Sequence, residues 1–587
     1  MKISKVKIKG FRNFKDITVN LGDKNLIFGA NNIGKSNFIY ALRLLLDRNL
    51  SENDIEPEDT DFYAFEDTNK FEITIYFNEI LEPASSDDCI RAKFKDKIGD
   101  DNTLILKYVA TRSPSTGEKQ YQLLEGYDEN SLTEFQSRYY LRVLNLEYVN
   151  SNRDLRNYIK REQAKILQEV KDSRDDETKD NDCALENNIK NKLEEVSIDV
   201  NKLSYVSSAT KSLNKELCEL NLQKNEDITF SAGDIDTNRY INNLNLLSSF
   251  KGKAISLGGD GKANQIYLAM WANKNTSSRE KEGVTFFCIE EPEAHLHPHK
   301  QRGLAKYLTN KFDSQIIITT HSPQIACEFD PNCMIKLYAT SEGTKAAKDG
   351  VSKLIEESFS NFGYRLNIIP AEAFFADVIF LVEGVSECLF YKAFSAMNDD
   401  FNIDKYNISI ISVDGIGFKP YIDIFSKLNI PLILRTDNDI FQVPNSEEYR
   451  LAGVERLLDL YNFLQTDKTK HVNTVFERSK DKSYLESNAI KEKINKLMQS
   501  LNTWGFYLAD NDFETDLYNS ALSEQLKTYY HEENSEKLVN KMKKHKGINI
   551  YGFLEENKDI LIDFKDETLL APLYRCKEIV EKMYGEE

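Results

Sequence analysis

The chain has 587 residues, too many for one hydrophobic core, so several domains are expected. Its formal net charge of −19 argues against a protein that coats DNA through a general basic surface, although a local basic patch can still meet phosphate. No uncharged apolar run reaches the roughly 18 residues of a membrane span, the N-terminus lacks the apolar core of a signal peptide, and none of the eight cysteines forms a Cys-x-x-Cys pair, so a reducing cytoplasm is expected.

The N-terminus reads as strands over Lys2–Ile8, Ile17–Leu21 and Asn25–Phe28, the last running into a glycine loop and a helix over Asn37–Leu46. Phe71–Phe77 alternates apolar and polar residues as a strand does, with further strands expected at Tyr121–Leu124 and Tyr139–Leu146. From 151 to about 223 the chain is rich in Lys, Glu, Asn and Leu and holds no Pro or Gly. Its middle, Asp172–Asp182, is too polar to bury anything, so two long helices joined by a solvated turn or disordered connection are expected. They form either a hairpin packed on its own domain or a dimerisation arm. Strand–helix alternation returns at Ser256 and runs to about Leu337. A transition over 349–370 leads to a second α/β region, with a second parallel sheet through Ala373–Arg435 and a mostly helical end after Lys480 that keeps one strand, Gly505–Leu508. These shifts divide the chain into 1–150, 151–245, 246–348, 349–370 and 371–587.

Gly29–Ser36 reads G-x-x-x-x-G-K-S between an apolar strand and a helix, the setting in which backbone amides and a helix N-terminus cradle phosphates. Lys35 is placed for the β- and γ-phosphates and Ser36 for Mg²⁺, with Asn32, Gly34 and Asn37 as further nucleotide contacts. The apolar strand Val284–Glu290 ends in acids: Glu290 to orient the Mg²⁺ shell and Glu291 to activate water. His321 follows another apolar strand, where it can sense the γ-phosphate. The Ser256–Lys262 loop offers Ser256 and Gly258 as donors to a phosphate held by a second subunit. This ordered set resembles the ABC-type ATPases of DNA recombination and chromosome maintenance, in which two heads sandwich ATP. His295, His297 and His299 suggest zinc, but their i, i+2, i+4 spacing and Pro298 fit a metal site poorly.

In the second α/β region three apolar strands each run into an acidic loop: Glu383-Gly384-Val385-Ser386-Glu387, Asp414-Gly415, and Asp437-Asn438-Asp439. In a parallel sheet these ends share one edge, and clustered carboxylates without nitrogen or sulfur ligands favour Mg²⁺ or Mn²⁺. Two such ions, ~3.5–4 Å apart, would activate water and stabilise the leaving oxygen of a phosphodiester. Glu-Gly followed by Asp-x-Asp resembles the Toprim domain of topoisomerases, primases and some nucleases.

An N-terminal ABC head with a helical insertion, followed by a C-terminal Toprim α/β domain with helical additions, resembles the OLD (overcoming lysogenization defect) nuclease family, and within it the nuclease subunits of Gabija anti-phage systems. The resemblance implies a nucleotide-regulated, divalent-metal-dependent endonuclease acting on double-stranded DNA. It also implies that Asp512 and Glu514 join Glu383, Glu387, Asp437 and Asp439 around the ions, and that Lys546, with Lys544 as competitor, neutralises charge on the phosphate. Asp516 is expected to cap a helix or face solvent. Pairing through the heads into dimers or tetramers, and a helicase-like partner, are implied in the same way. Two other functions stay open: a Toprim topoisomerase or primase-like enzyme, and a non-catalytic ATP-driven clamp or scaffold.

Overall fold

The structure is a computed structural model and describes residues 1–80, 85–220, 229, 246–250, 253–256, 259–277, 283–330, 333–340, 342–347, 371–414, 417–465, 467–544 and 546–584. It divides into two compact units, one of Met1–Asn150, Lys281–Glu293 and Pro298–Glu587, the other of Ser151–Glu280 and Ala294–His297. The linker expected at 349–370 lies outside the described residues.

A twelve-stranded sheet organises the N-terminal part of the first unit. Its strands are β1 (Lys2–Phe11), β2 (Phe14–Asn20), β3 (Lys24–Phe28), β4 (Lys70–Asn78), β5 (Leu104–Arg112), β6 (Lys119–Gly126), β7 (Thr133–Phe135) and β8 (Leu144–Val149), joined by the later β11 (Val284–Glu290), β12 (Ile316–Thr320), β13 (Met334–Thr340) and β14 (Gly343–Ala346). The order is β7-β6-β5-β4-β1-β2-β14-β13-β3-β12-β11-β8. From β7 to β13 neighbouring strands are antiparallel, and from β13 to β8 they are parallel. The parallel half is largely buried, as a sheet covered on both faces is: every residue of β12 is buried, as are the last four of β3. Helix α1 (Lys35–Leu46) packs Phe38, Leu42 and Leu45 into this core. The strand expected over Tyr139–Leu146 is instead a 3-10 turn at Arg138–Arg142 and then β8; Arg138 donates to the carbonyls of Leu50 and Asp47, which holds the turn out of the sheet.

The second unit holds α2 (Leu155–Asp172), α3 (Asp176–Lys202), α4 (Ser204–Leu220), the hairpin of β9 (Leu247–Phe250) and β10 (Lys253–Ser256), and α5 (Asp260–Ser277). α2 packs on α5, with the Tyr158 and Tyr267 rings 4.2 Å apart. Three helices therefore stand where two were expected. The polar stretch before Asp182 is largely helical because the Asp175 carboxylate accepts the Thr178 N–H at 2.9 Å and caps α3, so the break shrinks to residues 173–175.

The C-terminal part of the first unit is built on a four-stranded, wholly parallel sheet: β15 (Val378–Val382), β16 (Ile408–Ser412), β17 (Leu432–Thr436) and β20 (Phe506–Leu508), in the order β16-β15-β17-β20. β15 is buried at all five positions, each such side chain contributing about 1.5–3 kcal/mol of apolar burial. After β15 comes α6 (Val385–Met397); after β17 come the ribbon of β18 (Ile440–Gln442) and β19 (Tyr449–Leu451), then α7 (Ala452–Leu464). The end of the chain is helical, with α8 (Phe513–Asn519), α9 (Ser535–Lys543), α10 (Lys546–Asn557) and α11 (Glu567–Tyr584). Among the described residues no helix is long and apolar enough to cross a membrane.

Candidate active site

The glycine loop joins β3 to α1. Gly34 sits at the helix N-cap with φ 98°, and a Cβ there would lie 2.2 Å from Asn13 Nδ2. Asn13 donates to the Ile33 carbonyl at 2.8 Å and accepts from Asn37 Nδ2 at 2.7 Å, so it braces the loop from behind. Only a residue without a side chain fits between them. Asn31, Asn32 and Ser36 are exposed at the mouth. Lys35 is buried and turned onto its own loop, donating to the carbonyls of Gly29 at 3.0 Å and Ala30 at 2.7 Å.

Strand register brings the expected partners to the same sheet edge. β3, β12 and β11 are adjacent and parallel, so Lys35, His321 and the acids 290–291 all follow neighbouring strand ends. Glu290 is buried and accepts from the Tyr148 hydroxyl at 3.0 Å, while Glu291 Oε1 lies 3.3 Å from His321 Nε2. Glu293, which no sequence motif marks, ties the next loop: its Oε1 accepts from Thr320 Oγ1 at 2.6 Å and from the His321 N–H at 2.8 Å. Ser256 ends β10, but its side chain, like all of Gly258, lies outside the described residues.

Burial pushes the Lys35 ammonium down to about 8, against the pull of Glu291, Glu293 and Glu290. Phosphate is gripped by the protonated form, so above that value the empty site must take up a proton to bind. We expect ATP affinity, followed by equilibrium titration, to be level below about pH 7.5 and to weaken by up to ~10-fold per unit above pH 8. An affinity that stays level to about pH 9.5 contradicts this.

The second sheet assembles the acids. Val382 pairs with Ser412, Leu381 with Leu434, and Thr436 with Leu508, so Glu383, Asp414, Asp437 and Asp510 all leave the sheet at its carboxyl edge. Glu383, Glu387, Asp414, Asp437 and Glu514 line one cleft of about 450 Å³, with Gly547 of α10 on its rim. Glu383 Oε2 accepts from the Asp437 N–H at 2.9 Å and Thr436 Oγ1 at 2.8 Å. Asp437 Oδ1 accepts from the Phe513 N–H at 3.3 Å, which links the Asp-x-Asp loop to α8. Burial, then the charges of Glu387 and Glu383, push Asp437 up to about 8. Glu387 has both oxygens engaged, one by Arg435 at 2.7 Å and one by the Gly384 N–H at 3.0 Å. Asp512 caps α8 through the Thr515 N–H at 3.0 Å and meets Lys543 at 2.7 Å. Against the upward push of burial, these bonds hold its carboxyl below the usual range.

Three cations found here were not singled out from the sequence. Arg435 bridges Glu387 and Asp516, at 2.7 Å each. Arg456 bridges Glu383 and Asp439, at 2.7 and 2.5 Å. Lys543, rather than Lys544, reaches Asp512; the side chain of Lys546 lies outside the described residues. Asp516 neither caps a helix nor faces solvent, because it also accepts from the N–H groups of Asp510 and Asn511 at 3.1 and 3.0 Å. A signal for Arg435 was present: a cation inside the apolar strand Leu432-Ile433-Leu434-Arg435-Thr436 requires a buried partner. Among the described residues no three His, Cys, Asp or Glu side chains are placed to hold a metal. The donors lining the cleft are nonetheless carboxylates, the chemistry of a hard dication rather than of zinc.

Residues 1–326 match the family described as AAA ATPase domain, and residues 374–439 match the family described as overcoming lysogenization defect protein-like, TOPRIM domain. The protein named Endonuclease GajA from Bacillus cereus (strain VD045) is 26% identical over 573 residues, which span 92% of this chain and 94% of that protein. The Old nuclease of Escherichia phage P2 is 23% identical, over 71% of this chain and 73% of its own. The OLD nuclease of Thermus scotoductus (strain ATCC 700910 / SA-01) is 24% identical, over 75% and 83%.

Proposed function

Because this chain belongs to the AAA ATPase domain family and carries behind that domain a TOPRIM domain of the overcoming-lysogenization-defect type, we propose that it is a nucleotide-regulated, divalent-metal-dependent DNA endonuclease of anti-phage defence. The observation that carries this reading is the cleft at the carboxyl edge of the second sheet, where parallel register brings Glu383, Asp414 and Asp437 together and the first turns of α6 and α8 add Glu387 and Glu514. The similarity to relatives named as nucleases supports the substrate class.

Glu383, Glu387, Asp437, Asp439, Asp512 and Glu514 are the groups assigned to Mg²⁺ or Mn²⁺. Ions bound there supply an activated water and neutralise charge on the phosphodiester. The protein's own part is to fix the acids: the Asp437 N–H and Thr436 hydroxyl hold Glu383, and the Phe513 N–H holds Asp437. Lys546, the residue before Gly547 of the cleft lining, is assigned to the phosphate, and Lys543 to Asp512. In the head, Asn32, Gly34, Lys35, Ser36 and Asn37 are assigned to ATP and its Mg²⁺, with Glu290, Glu291 and His321 around the γ-phosphate, and Ser256 and Gly258 to a nucleotide held by a second copy. The resemblance that carries the defence role also carries pairing of the heads and a helicase-like partner.

The test is nicking of supercoiled plasmid with Mg²⁺ or Mn²⁺ over a range of ATP concentrations. Wild type is expected to nick, and Lys35→Ala to lose ATP binding and with it any response of cleavage to ATP. A wild type that cuts no DNA with either metal overturns the proposal; a Lys35→Ala protein that still responds to ATP overturns nucleotide control through this loop.

A further inference from the structure

Arg456 stands on α7, thirteen residues of helix that follow the Asp-x-Asp loop and the short β18–β19 ribbon. Val454, Leu457 and Leu460 bury one face of α7, so its position is set by packing rather than by the acids. Its first turn is pressed against the Asp-x-Asp backbone. The Gly453 N–H donates to the Asp439 carbonyl at 3.1 Å, and a Cβ on Gly453 would lie 2.3 Å from the Asp437 carbonyl oxygen and 2.9 Å from the Asp439 nitrogen. One turn on, the Arg456 guanidinium reaches three oxygens: Glu383 Oε2 at 2.7 Å, Thr436 Oγ1 at 2.8 Å and Asp439 Oδ2 at 2.5 Å.

The distribution of these bonds is uneven. Glu383 Oε2 takes three donors, from Arg456, Thr436 and the Asp437 N–H, while its other oxygen is not one of their acceptors. Asp439 has no such backbone support; among the described residues, Arg456 is the donor that holds its side chain. A planar fork can hold two carboxylates in fixed relation, which a single point charge cannot.

We propose that Arg456 is a positioning residue of the acidic site, fixing Glu383 and Asp439 by one oxygen each and leaving their other oxygens for the divalent ion. The inference rests on the metal-dependent reading given above. It makes α7, and not only the strand ends, part of the metal-binding apparatus, and it gives Gly453 a reason: the helix must approach the loop closely enough for the guanidinium to span both acids.

The test is Mn²⁺ binding, read as free Mn²⁺ by electron paramagnetic resonance, for wild type, Arg456→Ala and Arg456→Lys, with thermal unfolding and plasmid nicking alongside. Both variants are expected to bind Mn²⁺ ~10–100-fold more weakly than wild type. Lysine should not rescue, because its point charge lacks the planar fork that holds the two acids in fixed relation. Unchanged or tighter Mn²⁺ binding by Arg456→Ala overturns the inference and makes the guanidinium a counter-cation that competes with the metal. Wild-type affinity in Arg456→Lys also overturns it. If Arg456→Ala fails to fold, Arg456→Lys decides. A wild type that binds no Mn²⁺ overturns the metal-dependent reading itself, and this inference with it.

Discussion

Glu383→Ala is expected to abolish plasmid nicking while leaving ATP binding intact. Its side chain is the hub of the acidic site: one oxygen gathers donors from β17, from the Asp-x-Asp backbone and from α7. Removing a partner that only orients a metal ligand costs ~10–100-fold in affinity or activity. Removing a ligand that also organises its neighbours should exceed the upper figure, about 3 kcal/mol or more of barrier. The head should be indifferent, since Lys35, Glu290, Glu291 and His321 belong to a different sheet edge. The decisive comparison is nicking rate against nucleotide affinity in the same preparation. Cleavage within a few fold of wild type would remove Glu383 from the chemistry and favour a scaffold that works without cutting.

Arg435→Ala is expected to be the most destabilising single change at this site. The guanidinium is 2% exposed and bridges Glu387, also 2% exposed, and Asp516. Truncation leaves two carboxylates in a low-dielectric interior with their cation gone, and breaking such a buried pair typically costs about 3–5 kcal/mol. The loss should depend on pH in a set direction. Burial already raises Glu387 and lifts Asp516 to about 6, with Arg435 opposing in both cases. Without Arg435 both rise further above their unfolded values, so the folded variant holds protons that the unfolded chain has released. Its stability therefore falls as pH rises from the unfolded carboxyl range through the raised values, and the deficit against wild type is largest near neutrality. Denaturant unfolding of the two proteins at about pH 5 and pH 8 measures this. A deficit below about 1 kcal/mol at pH 8, or one that grows on acidification, would sink the argument.

Arg435, Arg456 and Lys543 also mark where sequence patterns stop. Gly29–Ser36 was legible because the phosphate loop is local: a strand, a glycine turn and a helix within a few residues, each dictated by apolar periodicity and by a backbone that needs φ 98° at Gly34. Glu383, Asp437 and Asp439 were legible for a related reason. Acids that follow apolar strands must share an edge once those strands run parallel, and β15, β16 and β17 do. The helix within the polar stretch at 172–182 is not visible in hydropathy, which cannot weigh a cap: Asp175 turns solvated residues into the first turns of α3.

What sequence by itself determined is therefore the place of the glycine loop and of the acidic loops at the ends of their strands, since both follow from patterns a few residues long. The tertiary structure alone decided how the acids are held. Arg435 meets Glu387 across 48 residues of chain, Arg456 meets Glu383 across 73, and Lys543 meets Asp512 across 31. No periodicity joins such partners. Which of the chain's 76 lysines and arginines stands beside which acid is settled by the packing of α7, α8 and α9 around the sheet, because a charged hydrogen bond requires an approach of about 3 Å that only the folded backbone can supply.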